Sequence, residues 1–140
     1  MRKILLTVSL AASLVAGAAY AGQVAEVAVE VDTEFGTAIG DQITARYSDN
    51  DVEMIGCGIR YIEDGSGGIL KFAFCQATDA EEINVFCSSL NAELIDAVNA
   101  ASSYAFITFS WDTDTLECTR IGFSTQSFYI PDNVDKGKKD

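Results

Sequence analysis

Four cysteines, all placed behind an apolar N-terminal leader, constrain this chain more than any other feature. Arg2 and Lys3 precede an uncharged apolar run over residues 4–19, and Ala19-Tyr20-Ala21 is a small-x-small cleavage motif followed by Gly22. This reads as a secretory signal peptide over residues 1–21. The apolar run is shorter than the stretch of about 20 residues that a spanning helix needs. No Cys stands at the cut, and no later stretch is apolar enough to span a bilayer, so no stable membrane anchor is expected after cleavage. Leader and cysteines together place the mature chain in the periplasm or the extracellular medium. In such an oxidising compartment the thiols are expected as disulfides.

Four cysteines admit three pairings, and spacing ranks them. The β-prone runs 52–63 and 69–77 flank Asp64-Gly65-Ser66-Gly67-Gly68, which reads as the turn of a β-hairpin. With the turn centred near Ser66, Cys57 and Cys75 stand opposite one another, and a directly opposed pair on two strands can meet disulfide geometry. That favours Cys57–Cys75 and leaves Cys87–Cys118. Cys75 and Cys87 are also symmetric about a plausible turn near residues 79–82, so Cys75–Cys87 with Cys57–Cys118 stands as the alternative. A zinc site is the competing use of four cysteines, but the chain has neither a C-x-x-C spacing nor a histidine.

The alternation of apolar and polar residues marks strands along most of the chain. Val27, Val29 and Val31 alternate with Ala28, Glu30 and Asp32. Ile43, Ala45 and Tyr47 repeat the pattern, and Asp49-Asn50-Asp51 reads as a turn. Phe72 and Phe74 fall on one face of their strand and Ala73 and Cys75 on the other, the double-sided apolarity of a central strand. Ala105, Ile107, Phe109 and Trp111 form one face of a further strand, which turns at Asp112-Thr113-Asp114 into a partner over 116–123. Residues 127–130 read as a last short strand, ended by Pro131, the only proline. One helix interrupts the series: Leu94, Ile95, Val98 and Ala101 have helical spacing over about three turns. Asn91 suits its N-cap, Glu93 its first turn, and Leu90 is placed to staple onto Ile95.

The expectation is an α+β, β-rich fold: a mainly antiparallel sheet with one covering helix and two disulfides. Removing 21 of the 140 residues leaves 119, enough for one domain. We expect a single globular domain over residues 22–130 and a charged C-terminal tail over 131–140. Aromatics would be exposed if only a helix covered the sheet; a second layer formed by the N-terminal strands is the preferred cover.

Charge narrows the partners. Two of the nine basic residues lie in the leader, so seven remain against 21 acidic ones, a net charge of −14. Three of those seven, Lys136, Lys138 and Lys139, fall in the tail, which leaves Arg46, Arg60, Lys71 and Arg120 as the body's cations. Nucleic acid binding requires clustered Lys and Arg, so no nucleic acid partner is expected. The absence of histidine removes triads, Cys–His dyads and histidine metal sites. Lys71, level with Tyr61 across the hairpin, has no serine indicated beside it for a Ser–Lys dyad. The acidic turns 49–53 and 112–117 supply D-x-D spacings that calcium can use, but neither has the twelve-residue EF-hand loop. No catalytic residue, no cofactor and no metal ligand is therefore expected. Cys57, Cys75, Cys87 and Cys118 are the only site residues, as disulfides.

Ala45-Arg46-Tyr47-Ser48, Ile55-Gly56-Cys57, Phe109-Ser110-Trp111-Asp112, Cys118-Thr119 and Ser127-Phe128-Tyr129 before Pro131 resemble stretches of short exported bacterial proteins of uncharacterised function. The resemblance implies a secreted, disulfide-containing domain and brings no activity with it. The leading expectation is a non-enzymatic exported binding or interaction protein with a protein or envelope component as partner. A small cell-envelope hydrolase or hydrolase inhibitor is the alternative. A deep cleft with convergent carboxylates would favour the enzyme, and a flat aromatic-acidic face the binder.

Overall fold

The computed structural model describes residues 24–130. The leader 1–21 and the tail 131–140 lie outside the described residues. Among the described residues the fold is β-rich and antiparallel as expected, its seven strands arranged in two sheets. The first contains β1 (Glu30–Asp32), β2 (Thr37–Asp41), β6 (Phe106–Trp111) and β7 (Cys118–Ser124), in the order β1-β2-β6-β7. The second contains β3 (Met54–Glu63), β4 (Ile69–Thr78) and β5 (Asn84–Ser89), in that order. Helix α1 (Gln42–Arg46) leads from β2 to β3, and α2 (Ala92–Asn99) leads from β5 to β6.

The period-two pattern decides what each strand buries. On β6, Ile107, Phe109 and Trp111 are buried and the intervening residues are half-buried, with Ala105 continuing the inner row just before the strand. They meet Ile55, Cys75, Ala77, Val85 and Cys87 from the other sheet in one apolar cluster. Phe109 is fully buried, and burying a side chain of that size contributes about 1.5–3 kcal/mol. The N-terminal strands thus form a second layer over β4, together with β6 and β7. A smaller cluster joins Ile95 and Val98 of α2 to Ala73 of β4, so the helix covers the part of the second sheet that the first leaves open.

Both bridges form as the hairpin symmetry favours. Cys57 and Cys75 are register partners, bridged with a Cα–Cα distance of 4.0 Å. Cys87 on β5 is bridged to Cys118 on β7, at 5.1 Å, and so ties one sheet to the other. Cys75 and Cys87 are also register partners, which is why the alternative pairing looked symmetric. No cysteine among the described residues is free.

Four local expectations are corrected. The stretch holding Ile43, Ala45 and Tyr47 is helical through Arg46, with Tyr47 as its C-cap, because Asp41 caps it at the other end: its carboxylate accepts the Ile43 N–H at 2.9 Å. One turn of helix buries Ala45 and leaves Tyr47 exposed, which an alternating strand would not do. Residues Ser127–Tyr129 form a 3-10 turn instead of a strand. Helix α2 is eight residues, nearer two turns than three. Its cap is as expected, with the Asn91 side chain accepting from the N–H groups of Glu93 and Leu94, but Leu90 is 65% exposed and staples nothing.

Candidate functional site

The N-terminal segment, α1 and the C-terminal 3-10 turn come together on one side of the first sheet. The Asp41 N–H donates to the Val27 carbonyl at 2.9 Å, and the Val27 N–H donates to the Thr44 hydroxyl at 3.3 Å. The Thr44 hydroxyl in turn donates to the second carboxylate oxygen of Asp41 at 3.1 Å. Asp41 is 2% exposed, and with both oxygens engaged it is a structural carboxylate that fixes where α1 begins. The Ala25 N–H donates to the Phe128 carbonyl at 2.9 Å, which ties the N-terminal segment to the 3-10 turn. Tyr129 stacks on Phe106 of β6 with ring centroids 5.3 Å apart, and Phe128 tilts against Tyr129 at 4.5 Å. The turn is held on the outer face of the sheet by these aromatic contacts.

Between these segments lies an open depression of about 530 Å³. Glu26, Asp41 and Asp49 line it with carboxylates, and Tyr47, Phe128 and Tyr129 with aromatic rings. No Lys or Arg among the described residues lines it. Since Asp41 is spent on the helix cap, Glu26 and Asp49, both exposed, are the carboxylates available to a ligand. Tyr47 is 72% exposed, so its ring is also available. Carboxylates beside aromatic faces, with no cation among them, attract cationic groups by charge and by the ring quadrupole.

Of the residues singled out from sequence, Asp49 of the acidic turn 49–53 lines the depression and the others lie elsewhere. The four cysteines are oxidised and support the core. In the turn 49–53, the Asn50 side chain accepts from the Val52 and Glu53 N–H groups, and the Glu53 carboxylate accepts from Asn50 and from the Val29 N–H. In the turn 112–117, Asp112 accepts from the N–H groups of Asp114 and Thr115 and from the Thr115 hydroxyl. The Thr115 N–H, then its hydroxyl, then the Asp114 N–H hold the Asp112 carboxyl below its ordinary value of 3.8. These oxygens stabilise their own turns. No group of three or more potential metal ligands gathers among the described residues. Lys71 does sit level with Tyr61, its ammonium 5.5 Å from the ring centroid.

Sequence reasoning missed the depression because its lining comes from three separated segments, 24–26, 41–49 and 128–130. By alternation, two of them fit strands as sequences. The one available signal was Asp41 before Gln42-Ile43-Thr44, an N-cap residue ahead of helix-compatible residues.

No known protein family matches the chain, and neither a curated protein nor a solved structure matches it.

Proposed function

We propose that the chain is an exported, non-enzymatic binding protein of the periplasm or extracellular space. It takes a protein or envelope component that presents basic groups to the depression lined by Glu26, Tyr47, Asp49, Phe128 and Tyr129. The observation that carries this reading is that lining: exposed carboxylates and aromatic rings on one open surface, without a cation. A further fact supports export: disulfides such as Cys57–Cys75 and Cys87–Cys118 belong to an oxidising compartment. The hydrolase alternative would require convergent, available carboxylates in a deep cleft, whereas here the depression is open and Asp41 is committed to capping α1.

The test is capture. Oxidised exported protein, immobilised, should retain a basic partner from periplasmic extract and release it on raising the salt. Tyr47→Ala and Asp49→Asn, both at exposed positions, should each weaken retention while leaving the melting temperature unchanged. Retention by both variants equal to that of the unsubstituted protein would refute the assignment of the site.

A further inference from the structure

The hairpin of β3 and β4 runs past the core. All residues from Arg60 to Gly67 are exposed, and the ribbon shows apolar side chains on both faces. Tyr61 and Ile69 lie on the face that carries Cys57, at 63% exposure each; Ile62 and Leu70 lie on the other, at 50% and 47%. β3 is also an edge strand. The turn closes with the Asp64 N–H on the Gly68 carbonyl at 3.0 Å, and antiparallel bonding alternates from there. Ile62 therefore exchanges its backbone bonds with Leu70, while Tyr61 and Glu63 turn their N–H and C=O groups to the free edge. The Ile59 carbonyl follows the same parity: it takes the Arg60 guanidinium at 3.3 Å instead of a bond from β4. An apolar edge with unpaired backbone groups is a template for another strand.

Charge selects which strand. The described residues carry 18 acids and four cations. The hairpin holds two of those cations, Arg60 and Lys71, and only two of the acids, Glu63 and Asp64. It is locally neutral on a body that is otherwise strongly acidic, so two copies can approach here with least repulsion. The edge is also self-complementary. A two-fold axis normal to the sheet keeps equivalent faces together, so it pairs residues of equal parity. Centred on Ile62, it places Tyr61 opposite the second copy's Glu63, both with free backbone groups, and Arg60 opposite the second copy's Asp64.

We propose that two copies of this chain pair antiparallel through the free edge of β3, with Ile62 on the two-fold axis. The paired segment is short, so the dimer belongs with weak interfaces, and sedimentation is followed to about 1 mM protein. With disulfides intact, the apparent mass should double with concentration, and at lower concentration in about 0.3 M than in about 0.01 M NaCl, because salt screens the acidic bodies. Ile62→Lys places like charges face to face and should keep the protein monomeric without changing its melting temperature. Ile62→Cys gives a non-hydrogen-bonded pair across the axis, where Cα atoms about 4.5 Å apart can bridge. It should yield a covalent dimer, while Leu70→Cys, on the same face but one strand removed, should not. A monomer at every concentration and salt, or equal cross-linking by the two cysteine variants, would overturn the proposal.

Discussion

Two glycines on one strand, two residues apart and on the same outer face of β3, should respond to alanine in opposite directions. Gly56 has open space where a Cβ would stand. At Gly58 a Cβ would come within 2.8 Å of the Phe74 ring, which lies over it as its register partner. That ring stacks on Phe86 at 5.5 Å and carries the Arg60 guanidinium 4.4 Å from its centroid. Gly56→Ala removes unfolded-chain entropy and should stabilise by about 0.5–1 kcal/mol. Gly58→Ala gains the same amount but pushes Phe74 away from its neighbours. It forfeits a stacking contribution of about 0.5–1.5 kcal/mol and a cation–π contribution of about 0.5–1 kcal/mol. The balance is a loss of about 1 kcal/mol, or roughly 5 °C in melting temperature for a domain of this size. In a Phe74→Ala background the obstruction is gone, and Gly58→Ala should become stabilising. Urea unfolding with the disulfides intact, read at constant m, measures all three differences. The same sign for Gly56→Ala and Gly58→Ala, or no reversal in the Phe74→Ala background, would refute the reasoning.

Further outcomes are expected. The Asp64 carboxyl accepts from the Ser66 hydroxyl, the Ser66 N–H and the Gly68 N–H, which hold its pKa below the ordinary 3.8. A carboxyl lowered in the folded state stabilises above its unfolded pKa, and that contribution is lost as pH falls through the folded value. Carboxyl titration by NMR should show Asp64 titrating low and Ser66→Ala moving it up; titration at the ordinary value would contradict the turn geometry. The exported protein should melt at a higher temperature in about 0.3 M than in about 0.01 M NaCl, and calcium at matched ionic strength should add nothing. A larger shift with calcium would mean that the turns 49–53 or 112–117 hold the ion. Intact-mass measurement of the exported protein should show loss of residues 1–21, and a full-length product would refute cleavage after Ala21.

What could be read from the sequence is what depends on counting. Hairpin register is set by distance from the turn, so Ser66 as centre paired Cys57 with Cys75. Alternation over residues 105–111 named the buried face of β6, and Asn91 marked the start of α2. What could not be read depends on encounters between distant segments. A period of two says that Ile107 and Phe109 are buried, not that a second sheet buries them. α1 is a single helical turn, too short for its period to be distinguished from alternation, so Ile43, Ala45 and Tyr47 fitted a strand equally well. The depression needs Glu26, Tyr47 and Tyr129 to meet, and no local pattern announces that.

The two disulfides enclose three exposed stretches of the chain within covalent rings, while the turns at 33–36 and 80–83 stay outside them. The tip at Asp64–Gly68 lies inside the ring closed by Cys57 and Cys75. The exposed stretch 99–104 and the turn 112–116 lie inside the ring closed by Cys87 and Cys118. These are the kinds of sites an extracellular protease cuts first. A single cut at any of them creates two new chain ends but does not divide the molecule, because the sulfur bridge still connects the pieces. Such nicked protein would run as one band until reductant is added. In a protease-rich setting, the bridges preserve the molecule after a break at these sites, whereas a break at the exposed turn 80–83, between the two rings, would release two pieces.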